Sequence, residues 1–142
     1  MKHALSNDDL VFKSQVESCE FPVADFDHRA HIRLAYVYLV DNTPAQAVDR
    51  VRDTLTGLLK SVGIDPAQKY HETLTEAWVL AVYHFMSNTD STASTDEFIE
   101  KNPVLLDSKI MMTHYSTEVL FSDEARKAFV QPNLDPIPTY VS

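Results

Sequence analysis

Apolar residues return every three to four positions over most of this chain, and the segments with that rhythm are separated by residues that start or stop helices. Ser6 can cap a first helix running to about Cys19, ended by Phe21-Pro22. Asp25 can cap a second, from Phe26 to about Val40. Thr43-Pro44-Ala45-Gln46 has the form of a capping box with proline at the first helical position; the third helix then runs to Val62, with Gly63 as a left-handed stop. Asp65-Pro66-Ala67-Gln68 has the same form and opens a fourth helix reaching about Ser87.

Beyond that the pattern shortens. Residues 88 to 95 are polar and predict a mobile loop. Ser94 or Thr95 caps a short helix through Lys101, Asn102-Pro103 begins another short helical piece, and Ser116 and Ser122 can cap two more. Pro132, Pro136 and Pro138 make the segment after Gln131 an extended tail. The expectation is an all-α single domain over 1–142. Its core covers about 6–131, with about four longer helices in a bundle, short C-terminal helices packed on them, and a proline-rich tail over 132–142. Glycine supports this: only Gly57 and Gly63 occur, too few for the turns and bulges of a strand-rich fold.

Composition narrows the function classes. At 142 residues, 44% hydrophobic and 23% charged, the chain can bury a real core. No apolar run approaches the roughly 18 residues of a membrane span, and the first residues lack the apolar segment of a secretory signal. Cys19 is the only cysteine, which fits a reducing compartment. The expected location is therefore cytoplasmic. The net charge of -9 repels phosphate backbones, and Arg29 and Arg33 alone make no basic footprint, so nucleic acid and membrane surfaces are not expected partners.

Candidate chemistry rests on the six histidines. On a helical wheel centred on His28, Ile32, Ala35 and Leu39 fall within about 40°, with His31 and Tyr38 on the flank. His28 and His31 thus lie on the apolar stripe, one turn apart, while Arg29 and Arg33 point elsewhere. His71 heads a second stripe, Leu74, Thr75, Trp78, Val82 and Phe85, with Glu72 and Glu76 turned away toward solvent. Burial and a nearby helix N-terminus both favour neutral imidazole, the form that ligates metals or accepts protons.

Three imidazoles from two facing helices suit one transition metal, Zn, Fe, Cu or Ni, with an open position for substrate. His28, His31 and His71 are the candidate ligands, Tyr70 and Thr75 the candidate catalytic groups beside them, and Asp27, Asp107 and Glu118 the carboxylates that could complete the set. The bland alternative is that the histidines are buried and hydrogen-bonded to backbone carbonyls, tyrosine or water. Cys19 is expected to be a small buried apolar group, and Met111 and Met112 core. His-Glu-x-x-His, glycine-rich phosphate loops and paired zinc cysteines do not occur.

Two stretches carry a resemblance. Phe26-Asp27-His28-Arg29-Ala30-His31-Ile32-Arg33-Leu34-Ala35 resembles a Phe-x-His-x-x-His-x-x-Leu-Ala signature, and Lys69-Tyr70-His71-Glu72-Thr73, with Thr75 and Trp78 beyond, resembles Lys-Tyr-His-x-Thr. Together they are similar to a family of small uncharacterised bacterial helical proteins, over about residues 15 to 132. Asn102-Pro103-x-Leu105-Leu106-Asp107 and Tyr115-Ser116 also look similar. The resemblance implies no activity; it implies that His28, His31, His71, Tyr70 and Thr75 are the positions to test.

Two functions follow as expectations. One is a metal-dependent enzyme acting on a small molecule through the three histidines. The other is a non-catalytic module that binds a small ligand or a partner, with the histidines in a buried hydrogen-bond network. The apolar face of the third helix (Val48, Val51, Leu55, Leu58, Leu59, Val62) is expected to be core, with part of it a candidate homodimer surface.

Overall fold

The computed structural model describes residues 3–137. Their regular structure is helical, with no strand among the described residues beyond an isolated bridge between His3 and Thr92. Helix α1 spans Asn7–Glu17, α2 His28–Asp41, α3 Pro44–Ser61, α4 Pro66–Lys69, α5 Glu72–Ser87, α6 Thr95–Lys101, α7 Thr117–Leu120 and α8 Asp123–Lys127; tight 3-10 turns occupy Val23–Asp25, Pro103–Leu106 and Ser108–Thr113. No helix among the described residues is long and apolar enough to cross a membrane.

Most boundaries follow from caps. Ser6 and Asp9 form a reciprocal capping box on α1, and Thr43 and Gln46 form another on α3. Gly63 (φ +78°) closes α3 in the left-handed region, where its N–H and that of Ile64 bond back to Lys60 and Leu59. Ser94, Ser116 and Ser122 cap α6, α7 and α8.

Four expectations change. Helix α2 starts two residues later than its pattern suggested, because Asp27 rather than Asp25 accepts from the Ala30 N–H. The fourth helix is not continuous: the chain becomes extended at Tyr70 and His71, so α4 is a single turn and α5 starts afresh. The polar loop is anchored. Thr92 is buried, its Oγ1 lies 2.8 Å from the Tyr36 hydroxyl and 2.6 Å from His3 Nδ1, and its carbonyl accepts from the Ala4 N–H. Cys19 is exposed, at φ +63° just beyond α1, and is not a core residue.

The main core joins α1, α2, α3 and α5 around fully buried Ile32, Leu34, Tyr36, Val79 and Val82. Asp9, wholly buried, fastens three elements: it accepts from Arg33 Nε at 3.0 Å and from the Ser6 and Thr95 backbone N–H groups. Burial alone would raise the Asp9 carboxyl, but these donors hold it below the usual range. A second cluster packs Ala77 and Ala81 of α5 against Met111, Tyr115, Leu120 and Ile137. Residues 133–135 bend back, with Leu134 N–H on the His114 carbonyl and Asp135 N–H on that of Thr113. The final part of the proline-rich tail, 138–142, lies outside the described residues. Trp78 and Leu74 contribute to the seam between the clusters, and there the packing opens.

Candidate functional site

A cavity of about 560 Å³ lies between the starts of α2 and α5, the middle of α3 and the C-terminal turns. Its floor is aliphatic: Ala35, Val51, Leu55, Leu58, Leu59 and Val79. Phe26, Trp78, Met111, Met112 and Phe121 form its sides. His28, His31, Tyr70, His71 and Thr75, all singled out by the sequence, line it too, so facing helix starts do bring the two signatures together. Leu55 and Leu59 line this cavity, while Val51 and Leu58 are buried and Val62 is exposed.

The three histidines do different work. His71 is the N-cap of α5: its Nδ1 accepts the Leu74 N–H at 3.1 Å, and its Nε2–H donates to the Leu120 carbonyl at 2.7 Å. Both partners fix the neutral tautomer, since a cap must accept and a carbonyl can only accept. Burial lowers its pKa, in the same direction. Both ring nitrogens are engaged, so His71 as placed has no lone pair to offer a metal. His28, in the first turn of α2, donates Nε2–H to the Leu105 carbonyl at 2.9 Å; its ring sits 4.7 Å from Trp78, edge to face.

His31 differs from both. Its ring makes an edge-on contact with Phe26, at 4.7 Å and 83°, but no hydrogen bond to any described residue. It lines the cavity and is exposed to solvent. Desolvation by the neighbouring side chains, with a smaller repulsion from His28 and against the pull of Asp27, pushes its pKa down to about 4. It is a neutral imidazole at physiological pH, with one donor and one acceptor uncommitted.

The remaining polar groups are largely committed elsewhere. Asp27 caps α2, and Asp107 accepts from the Lys109 N–H in a turn of its own. The Thr75 hydroxyl donates to the His71 carbonyl, fixing the turn that presents the imidazole. Tyr70 donates its hydroxyl to Glu72 at 2.8 Å. No group of three His, Cys, Asp or Glu side chains among the described residues is arranged to hold a metal ion.

The wheel misplaced Glu72 and Glu76. The Glu72 side chain turns inward: it is buried and takes a bidentate pair from Arg52 of α3, Nε to Oε1 at 2.8 Å and Nη2 to Oε2 at 2.7 Å. Burial opposes its ionisation, but Arg52, Glu76 and Tyr70 outweigh that and hold its pKa low. Glu76, one turn on and half-buried, is pushed up by burial and by the neighbouring Glu72 charge. What the wheel lacked was Arg52, which reaches Glu72 from α3.

No protein-family model matches the chain, and no curated protein or solved structure matches it, so the geometry of the cavity alone carries the functional argument.

Proposed function

We propose that this chain is a small-molecule-binding protein, one small helical bundle whose apolar cavity holds a ligand against His31. The observation that carries the reading is an uncommitted neutral imidazole on the wall of a roughly 560 Å³ apolar cavity. Ligand sites are of this size and kind, a mostly hydrophobic concavity with a few polar groups that fix orientation. His28 and His71 act as struts, each tying a helix start to a C-terminal carbonyl, and Tyr70 and Thr75 shape the wall between them.

A metal-dependent enzyme is the second reading, favoured by one fact: His28 Nδ1 and the His31 ring lie one turn apart on the same cavity. It needs a third ligand, and His71 would have to release both backbone partners to become one. Elemental analysis of untagged protein purified without chelator or nickel separates the readings, combined with a fragment screen read on Trp78. The first reading expects metal-free protein and fragments that compete for one site. One equivalent of Zn, Fe, Cu or Ni per chain, lost in His31→Ala, would replace it with the second.

A further inference from the structure

The walls restrict what the cavity can take. Two charged side chains line it, Asp27, whose Oδ1 accepts the Ala30 N–H, and Lys69, while Glu72 faces Arg52 and Tyr70 instead. Lys69, exposed on the rim, has no ion-pair partner among the described residues, so an anionic substituent is tolerated at the mouth.

Inside, His31 can accept on one ring nitrogen and donate from the other, whereas His28 is engaged at Nε2 by the Leu105 carbonyl. A ligand carrying a polarised O–H or N–H satisfies the His31 acceptor.

The rings supply the third restriction. Phe26 and His31 pair edge to face on one side, and His28 and Trp78 pair at 4.7 Å and 65° on another. Rigid rings at fixed angles complement a planar ring, which meets them edge-on or offset, better than a puckered one of equal area.

Taking the cavity as a ligand site, we infer that its ligand is a planar aromatic compound bearing a ring O–H or N–H, phenol-like or indole-like, uncharged or anionic, with that donor on the His31 imidazole and any anionic substituent toward Lys69. The aliphatic floor takes one ring face, and the polar edge lies at the α2 start. Aliphatic acids lack the ring and the donor, and an aromatic amine in the same pose sets its ammonium against the like charge of Lys69.

A matched series tests this: 4-hydroxyphenylacetate, 4-methoxyphenylacetate, tyramine and 4-hydroxycyclohexylacetate, titrated by calorimetry and followed on the indole N–H resonance of Trp78. Trp78 is the single tryptophan of the chain and lines the cavity, so its resonance reports occupancy there. The expected result is that 4-hydroxyphenylacetate binds about tenfold more tightly than each of the others, the effect of one net hydrogen bond or one unmatched charge. Its advantage over the methoxy compound disappears in His31→Phe and returns in part in His31→Gln. Equal binding of tyramine or of the saturated ring overturns the ligand class. If octanoate moves the Trp78 resonance and no aromatic compound does, the class falls while the small-molecule reading stands. If nothing moves it, octanoate included, both fall.

Discussion

Replacing His71 separates a strut from a ligand. In His71→Ala two interactions go at once. The α5 cap on the Leu74 N–H is lost, and caps contribute about 1 kcal/mol. The Leu120 carbonyl, on a residue buried in the second cluster, also loses its donor, and an orphaned acceptor of this kind costs about 1–3 kcal/mol. Water reaching the half-exposed ring site relieves part of this, so the expected loss is about 2–3 kcal/mol. At about 2.1 cal/mol/K of unfolding entropy per residue over 142 residues, that lowers Tm by about 7–10 °C. Asparagine caps well but is too short to reach the Leu120 carbonyl, so His71→Asn should recover about 1 kcal/mol of the loss. Thermal and urea melts of wild type and both variants, in buffer with added chelator, make the measurement. A loss below about 0.5 kcal/mol in His71→Ala, or a loss that appears only when metal is supplied, would refute the reasoning.

Other consequences follow from the same contacts. His31→Phe, which breaks no side-chain hydrogen bond, should change stability by less than about 1 kcal/mol while weakening the hydroxyaromatic ligand about tenfold; a large destabilisation in chemical melts would show that His31 has a structural partner. Arg52→Met leaves Glu72 buried without its bidentate partner and should cost about 3 kcal/mol at pH 7; the cost should shrink in the Arg52→Met/Glu72→Gln double variant, and a full additive loss would argue against the pair. Tyr36→Phe removes a hydroxyl bonded to the Ala4 carbonyl and to Thr92, and urea melts should show a loss of about 1 kcal/mol. His31 and His71 both have folded pKa values below the usual 6.5, so the stability they contribute is complete above about pH 6.5 and is lost as pH falls toward about 4; pH-dependent melts should show this decline, shallower in His31→Gln, and an identical profile in the variant would contradict it.

What the sequence made legible follows from how local its causes are. Ser6, Thr43, Gly63, Ser94, Ser116 and Ser122 act within four residues of themselves, and each ends or begins a helix where its neighbours indicate. The polar members of the two signatures could be placed on one cavity because helical period and facing starts bring them there. The break at Tyr70–His71 was hidden because histidine is an uncommon cap: it works here through the Leu120 carbonyl, 49 positions away, which no local pattern contains. The same nonlocality explains Thr92. A threonine in a run of Ser, Thr and Asn reads as solvated, and only the arrival of His3 and Tyr36 buries it. Glu72 owes its burial to Arg52 of α3, 20 positions away, so periodicity within one helix assigned it to solvent.

The most direct test is the protonation of each imidazole, read by long-range proton–nitrogen correlation spectra of histidine-labelled protein at pH 7, before and after one equivalent of zinc. Our account predicts His28 and His71 as Nε2–H tautomers with slowly exchanging ring protons, His31 neutral and titrating well below the usual range, and His71 unmoved by zinc. A His71 ring that gives up its Nε2 proton and shifts together with His28 and His31 on adding zinc would contradict it, and would make the three histidines a metal centre.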